Sequence, residues 1–135
     1  MSQGPPIAAR FDCDRCGRVA STIYLLEAGV PDPRALGERD WLLDEPRISI
    51  DGPVYTTRTG PEPGSASFES LGRAVSSGDP VALFSRDLEL TPFWCPTCGL
   101  AYCGECWSIW VEMDEGFYDD TRGRCPAGHE RMLDD

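Results

Sequence analysis

A small α+β fold, built around bound metal more than around a large apolar core, is predicted by three features of the sequence. Seven cysteines and the single histidine fall into four close pairs. Short β-branched and aromatic runs share the stretch between the first and second pairs with a capped, amphipathic helical segment. At 135 residues the chain is one domain long, with a modest core that metal would reinforce.

The pairs are Cys13–Cys16, Cys95–Cys98, Cys103–Cys106 and Cys125–His129. Zinc takes thiolate sulfur and imidazole nitrogen in a tetrahedron and has no geometric preference of its own. A Cys-x-x-Cys turn followed by Gly brings two sulfurs onto one ion, and Gly17 and Gly99 hold that place. Eight ligands suffice for two tetrahedral Zn2+ ions and leave none over. A lone Cys-x-x-Cys is weak evidence, because redox motifs share it; four pairs with no spare ligand are strong. Disulfides fit poorly, since seven is odd and no secretory segment points to an oxidising compartment. A catalytic zinc keeps an open position beside three protein ligands, whereas this count closes both sites. The expected cofactors are therefore two structural zinc ions.

In chain order, residues 1–10 read as a loose arm and Phe11 leads into the first knuckle. Val19 to Glu27 is β-branched and aromatic and predicts a strand ended by Gly29. Asp32-Pro33 resembles a helix start, with any helix to Leu43 kept short by Gly37. Arg47 to Ile50 and Val54 to Thr57 alternate apolar with polar across Asp51-Gly52-Pro53, a hairpin signal. Residues 60–65 are a Pro/Gly-rich loop. Phe68, Leu71, Ala74 and Val75 then share one helical face, with Ser65 or Ser67 before them and Gly78 after. Residues 81–84 and 88–90 read as short strands. Residues 107–113 suit one or two helical turns that place Trp107, Trp110 and Val111 on one face. Residues 115–120 are acidic and turn-like, and 131–135 form a short tail. The expected organisation is a single domain, 1–135, with zinc-binding parts at 11–18 and 93–130 and an α+β insertion at 19–92.

The formal charge is −11, with 23 acidic residues against 12 basic ones. Such a surface repels phosphate backbones, which counts against a nucleic-acid-binding zinc ribbon and favours basic partners. Every basic residue is Arg; Lys and Asn are both absent. Both use A-rich codons, so a GC-rich bacterial genome explains the pair of absences better than avoidance of lysine modification does. No apolar run of membrane-spanning length and no leader-like segment occurs, so a cytoplasmic protein with no membrane partner is expected. No phosphate-binding loop is present, and a Ser-His-Asp set is ruled out because the sole His is committed to metal. The paired carboxylates Asp119-Asp120 and Asp134-Asp135 read as solvated, and no catalytic residue is assigned.

The run Cys95-Pro96-Thr97-Cys98-Gly99, followed by Tyr102-Cys103-x-x-Cys106, resembles the middle of FYVE and IBR zinc domains. Tyr102-Cys103-x-x-Cys106-x-x-x-Trp110 with Cys125-Pro126 resembles the helix and closing knuckle of RING domains. The resemblance covers roughly the last third of the chain and implies a RING/FYVE-like, treble-clef type of zinc scaffold, with PHD domains as further relatives. RING and FYVE domains alternate their pairs, which would give Cys13, Cys16, Cys103 and Cys106 one ion and Cys95, Cys98, Cys125 and His129 the other. An IBR-like order would join the first pair to the second and the third to the fourth. The alternating order is preferred, because four intervening residues make it hard for the middle pairs to share an ion. The chain departs from RING domains in placing Asp14 and Arg15 inside the first knuckle and Glu130 after the last ligand. It also lacks the FYVE basic cluster.

These readings converge on a non-catalytic, zinc-binding protein–protein interaction or adaptor module. Its contact surface is expected at the exposed parts of Phe93, Trp94, Trp107 and Trp110, since aromatics dominate interface hot spots, with Pro126 a further partner-binding residue. The alternative is a RING-like accessory of a bacterial ubiquitin-like conjugation pathway, with Trp110 and Pro126 lining the groove for a conjugating-type enzyme.

Overall fold

Alternating β-branched residues build the first sheet. In the computed structural model, which describes residues 7–32, 43–52 and 56–134, four strands run antiparallel in chain order. They are β1 (Ile7–Asp12), β2 (Val19–Leu26), β3 (Arg47–Asp51) and β4 (Thr56–Thr59). Ile23 lies opposite Ile50 and Leu25 opposite Ile48, so one face of the sheet is apolar and buried. The predicted hairpin corresponds to the β3–β4 pair, with Ile50 opposite Thr56 and Arg47 opposite Thr59. Val54 and Tyr55 of the expected second strand lie outside the described residues, and β4 runs on to Thr59. The helix expected from Asp32-Pro33 falls on residues 33–42, outside the described part. Residues 7–10, read as a loose arm, belong to β1; Ala9 and Phe11 point into the core, an alternation too short to stand out in the sequence.

Helix α1 (Ala66–Ser77) covers this sheet as its periodicity predicts. Phe68, Leu71, Gly72 and Val75 form the buried stripe, Ser65 Oγ accepts from Phe68 N, and Gly78 closes the C-terminus. Each of the three large apolar side chains contributes about 1.5–3 kcal/mol by leaving water. Gly72 lies in the contact with the sheet, where a methyl would touch Ile7 Cδ1 at 3.4 Å, an ordinary packing distance.

Residues 80–86 are not a strand but helix α2 (Pro80–Arg86). Asp79 caps it by accepting from Val81 N, and Pro80 takes the first-turn position. Residues 88–90, also read as a strand, form a 3-10 turn that Asp87 caps through Glu89 N. Arg58 reaches across from β4 to Asp87 and Glu89, at 2.8 and 3.2 Å.

Two further antiparallel sheets complete the chain. β5 (Trp94–Cys95) pairs with β6 (Leu100–Ala101). β7 (Ser108–Asp114), β8 (Phe117–Arg124) and β9 (Glu130–Asp134) pair in that order. The helical turns expected at 107–113 are therefore a strand. Ile109, Val111 and Met113 alternate along it with Trp110 and Glu112, and a two-residue turn makes hairpin pairing with β8 available. The residues after Glu130 are likewise not a tail: Leu133 is fully buried in β9. Among the described residues no helix is long and apolar enough to cross a membrane.

Glu115 and Gly116 join β7 to β8 with φ of 51° and 87°, and Asp114 pairs with Phe117 on either side. Two positive φ values match a type I′ hairpin turn, which Asn-Gly fits best. Glu in the left-handed region costs about 1 kcal/mol. Glu115→Asn is therefore expected to raise the melting temperature, and a fall measured by differential scanning calorimetry would contradict the turn assignment.

Candidate metal centres

Two of the four ligand pairs lie on the same backbone turn, and a third on a related turn that closes one residue earlier. Gly17 N donates to Cys13 O at 2.9 Å, Gly99 N to Cys95 O at 2.8 Å and Gly128 N to Cys125 O at 2.9 Å. These glycines have φ of 76°, 69° and 94°, as a turn that doubles back on itself requires. In the same turns the backbone N–H of Cys16, Cys98 and His129 points at the sulfur of its own pair, each at 3.4 Å. The fourth pair uses a helical turn, with Cys106 N donating to Cys103 O at 2.9 Å.

The fold brings the pairs together in alternation. Cys13 and Cys16 meet Cys103 and Cys106, while Cys95 and Cys98 meet Cys125 and His129; within each group the ligand atoms lie within 4.8 Å of one another. The bond from Asp14 N to Ala101 O, at 2.8 Å, docks the first knuckle on β6 just ahead of Cys103. An ion pair from Arg18 to Glu105 spans the same group from outside.

The spacings test what the groups can hold. A tetrahedron with zinc–sulfur bonds of about 2.3 Å has sulfur–sulfur edges of about 3.8 Å, and sulfur–nitrogen edges of about 3.6 Å. In the first group Sγ of Cys13 lies 3.7 Å from Cys106, Cys16 lies 3.4 Å from Cys103, and Cys103 lies 3.6 Å from Cys106. In the second, Cys98 Sγ lies 3.8 Å from Cys125 Sγ. His129 Nδ1 lies 3.7, 3.2 and 3.4 Å from Cys95, Cys98 and Cys125. All are far longer than a disulfide bond and close to the edges of a metal tetrahedron. Both groups can hold a metal ion, and four protein ligands at each would close its coordination.

Electrostatics point the same way. Burial pushes the Cys13 thiol up, but backbone N–H groups of Cys103, Cys16 and Arg15 outweigh it and bring Cys13 down to about 6. Cys125 balances similarly, with burial opposed by the amides of His129 and Ala127, and falls to about 7. Cys106 is pushed up to about 12 by burial and by its neighbours Cys103 and Cys13. Each group thus favours one thiolate and resists a second, at Cys106 and at Cys95 first through burial and then through the neighbouring sulfurs. A divalent cation removes that conflict.

The supporting residues come from the core. Tyr102 is buried, and its contact with the Cys98 thiol, followed by burial, pushes its phenol up. Trp107 is buried, and its Nε1 donates to Phe93 O at 3.2 Å. Arg131 donates to the carbonyls of Thr91 and Trp94, each at 2.6 Å, and of Leu88 at 3.0 Å. Its guanidinium lies 5.2 Å from the centre of the Phe84 ring. It therefore fixes the segment entering Cys95 to the strand leaving His129. The sequence placed Arg131 only in a tail, because its partners are all backbone carbonyls and leave no pattern of their own.

Three of the expected contact residues are not at the surface, Trp107 being only 5% exposed. Phe93 and Trp94 are each only 6% exposed; Phe93 packs on Gly104 and Trp94 meets Phe84 edge-on at 5.3 Å. Their place beside a knuckle puts them under it instead of outside it. Trp110 and Pro126 are half-buried, and Trp110 Nε1 donates to Glu112 Oε1 at 2.8 Å.

A family model described as "Domain of unknown function (DUF8328)" matches residues 6–135. No curated protein and no solved structure matches the chain.

Proposed function

Because the chain belongs to the DUF8328 family, whose model spans all eight ligands, we propose that it is a non-catalytic protein–protein interaction module stabilised by two structural zinc ions. One observation carries this reading: the ligands divide, without remainder, into two closed groups of tetrahedral dimensions. Sulfur-rich tetrahedral sites suit zinc, and the Cys3His group suits it better than an iron–sulfur cluster. With the protein filling every coordination position, the metal's role is to hold chain segments together. The first group ties the β1–β2 knuckle to the residues before β7, and the second ties the β5–β6 knuckle to the turn between β8 and β9.

The ligase-accessory alternative needs a helix after the third pair to carry Trp110 into a groove, and β7 stands there instead. The nucleic-acid alternative still meets the net charge of −11.

Elemental analysis of freshly purified, reduced protein is expected to find two equivalents of zinc. Cross-linking mass spectrometry in the source cells is expected to recover a reproducible protein partner that the His129→Ala protein does not retain. One equivalent of metal, or iron in place of zinc, would overturn the metal assignment. Two equivalents of zinc with no partner would overturn the adaptor role.

A further inference from the structure

The hairpin β7–β8 is rooted in both metal groups, for it leaves directly after Cys106-Trp107 and returns at Arg124-Cys125. Beyond those roots it projects. Among the described residues β7 is an edge strand, bonded to β8 on one side only, so alternate backbone N–H and C=O groups along its other side are open to a further strand. Its side chains do not withdraw from solvent either. Ile109, Val111 and Met113 share one face and are 38%, 52% and 58% exposed, with Tyr118 opposite Met113 at 48%. The other face carries Trp110, Glu112 and Asp114.

Charge decides what can lie along this edge. Glu112, Asp114, Glu115 and Asp119 have no ion-pair partner among the described residues, whereas Asp120 is held by Arg122 at 3.1 Å and Glu130 by Arg124. Residues directly opposite on neighbouring strands share a face. A strand added beside β7 would therefore place one set of side chains against Ile109, Val111 and Met113, and the alternate set against Trp110, Glu112 and Asp114. The first set must be apolar. The second is best met by Arg or Lys, which pair with the carboxylates and are attracted to the face of the indole. A second copy of this chain is a poor occupant, because it brings the same carboxylates and a charge of −11 to the contact.

We propose that β7 is a docking edge for an extended basic segment of a partner protein, alternating apolar residues with Arg or Lys, which adds as a further strand. This rests on the interaction-module reading and names the partner's chemistry. The same carboxylates protect the edge against self-association and against acidic strands, so one set of residues both deters and selects.

The test uses the zinc-loaded full chain and a fluorescein-labelled peptide of four Arg-Val repeats, followed by fluorescence anisotropy. Binding is expected, with slowed hydrogen exchange confined to β7. The affinity is expected to fall at least about tenfold, or about 1.4 kcal/mol, for the same peptide N-methylated throughout and for the E112R/D114R double variant. Both substitutions lie on an exposed strand, and zinc content confirms that the variant is folded. No binding, or equal binding of the N-methylated peptide, would overturn the proposal, the latter by reducing it to diffuse attraction. So would sedimentation showing a dimer abolished by the double variant, which would make a second copy the occupant. If cross-linked cellular partners persist with the double variant, the module reading stands and only the assignment of the edge falls.

Discussion

Removing the metal is expected to unfold the protein, not merely to loosen its knuckles. A structural zinc site in a small module is worth about 10–16 kcal/mol, while a domain of this size has a net stability of about 5–15 kcal/mol. On the two-zinc reading proposed above, losing either ion removes a free energy comparable to the whole net stability. The packing argues for a global effect. Cys13, Cys95, Cys103 and Cys125 belong to the same buried cluster as Ile23, Leu25, Leu71, Leu83 and Leu133, so neither group can open without exposing apolar surface on the other sheets. Chelation, Cys103→Ser in the first group and His129→Ala in the second should each abolish the near-ultraviolet circular dichroism of the buried Trp94 and Trp107. Each should also replace the cooperative thermal transition with a featureless one. A metal-free chain that still melted cooperatively would refute this.

Acid should act in the same direction. The Cys125 thiol is brought down to about 7 and the Cys13 thiol to about 6, from an ordinary 9.0. A group depressed on folding stabilises the fold fully above its unfolded value, and that contribution is lost as pH falls through the folded one. Without metal that contribution shrinks from about pH 9 and is gone below about pH 6. Bound metal holds the same sulfurs deprotonated further, so zinc retention and stability should be lost together on acidification below about pH 6.

Arg131→Met is expected to be the most damaging substitution outside the ligands. The guanidinium satisfies the carbonyls of Leu88, Thr91 and Trp94, and Met fills much the same volume while donating nothing. A hydrogen bond to a charged donor is worth about 1.5–3 kcal/mol. The carbonyls of Leu88 and Thr91 keep the backbone N–H groups of Thr91 and Trp94 as donors, so the loss is of the charged bonds more than of bare acceptors. The cost of desolvating the cation, which pushes Arg131 down to about 10, offsets part of this. A net loss of about 2–4 kcal/mol follows. Because two of these carbonyls sit just ahead of Cys95, zinc affinity at the second group should also fall, by about 10–100-fold. Competition with a chromogenic chelator reads that directly. Arg131→Lys should not rescue either property, since an ammonium cannot span the three acceptors. Unchanged zinc affinity would limit Arg131 to a packing role.

Much of the fold was legible, and the exceptions share a cause. The ligands announced themselves because sulfur chemistry demands those residues at that spacing, and β2, the β3–β4 hairpin and α1 followed from periodicity and caps. What failed were short elements whose type depends on their neighbours. Residues 81–84 are apolar enough for a strand, and only the Asp79-Pro80 start marks the helix. At 107–113 both periods fit, and Glu115-Gly116 was the deciding signal; Glu seldom occupies that turn position, which hid it. The buried places of Phe93 and Trp94 were illegible because being next to a ligand does not say on which side of the knuckle a ring lies.

Interleaved ligand pairs give assembly a direction. The second group joins residues between 4 and 34 positions apart, as in Cys125 with His129 and Cys95 with His129. The first must close spans of 87 and 93, Cys16 to Cys103 and Cys13 to Cys106. A loop about three times longer costs about 1 kcal/mol more to close and slows the encounter. On the two-zinc reading proposed above, the second group would close first and the first group after it, with the N-terminal knuckle as the latch.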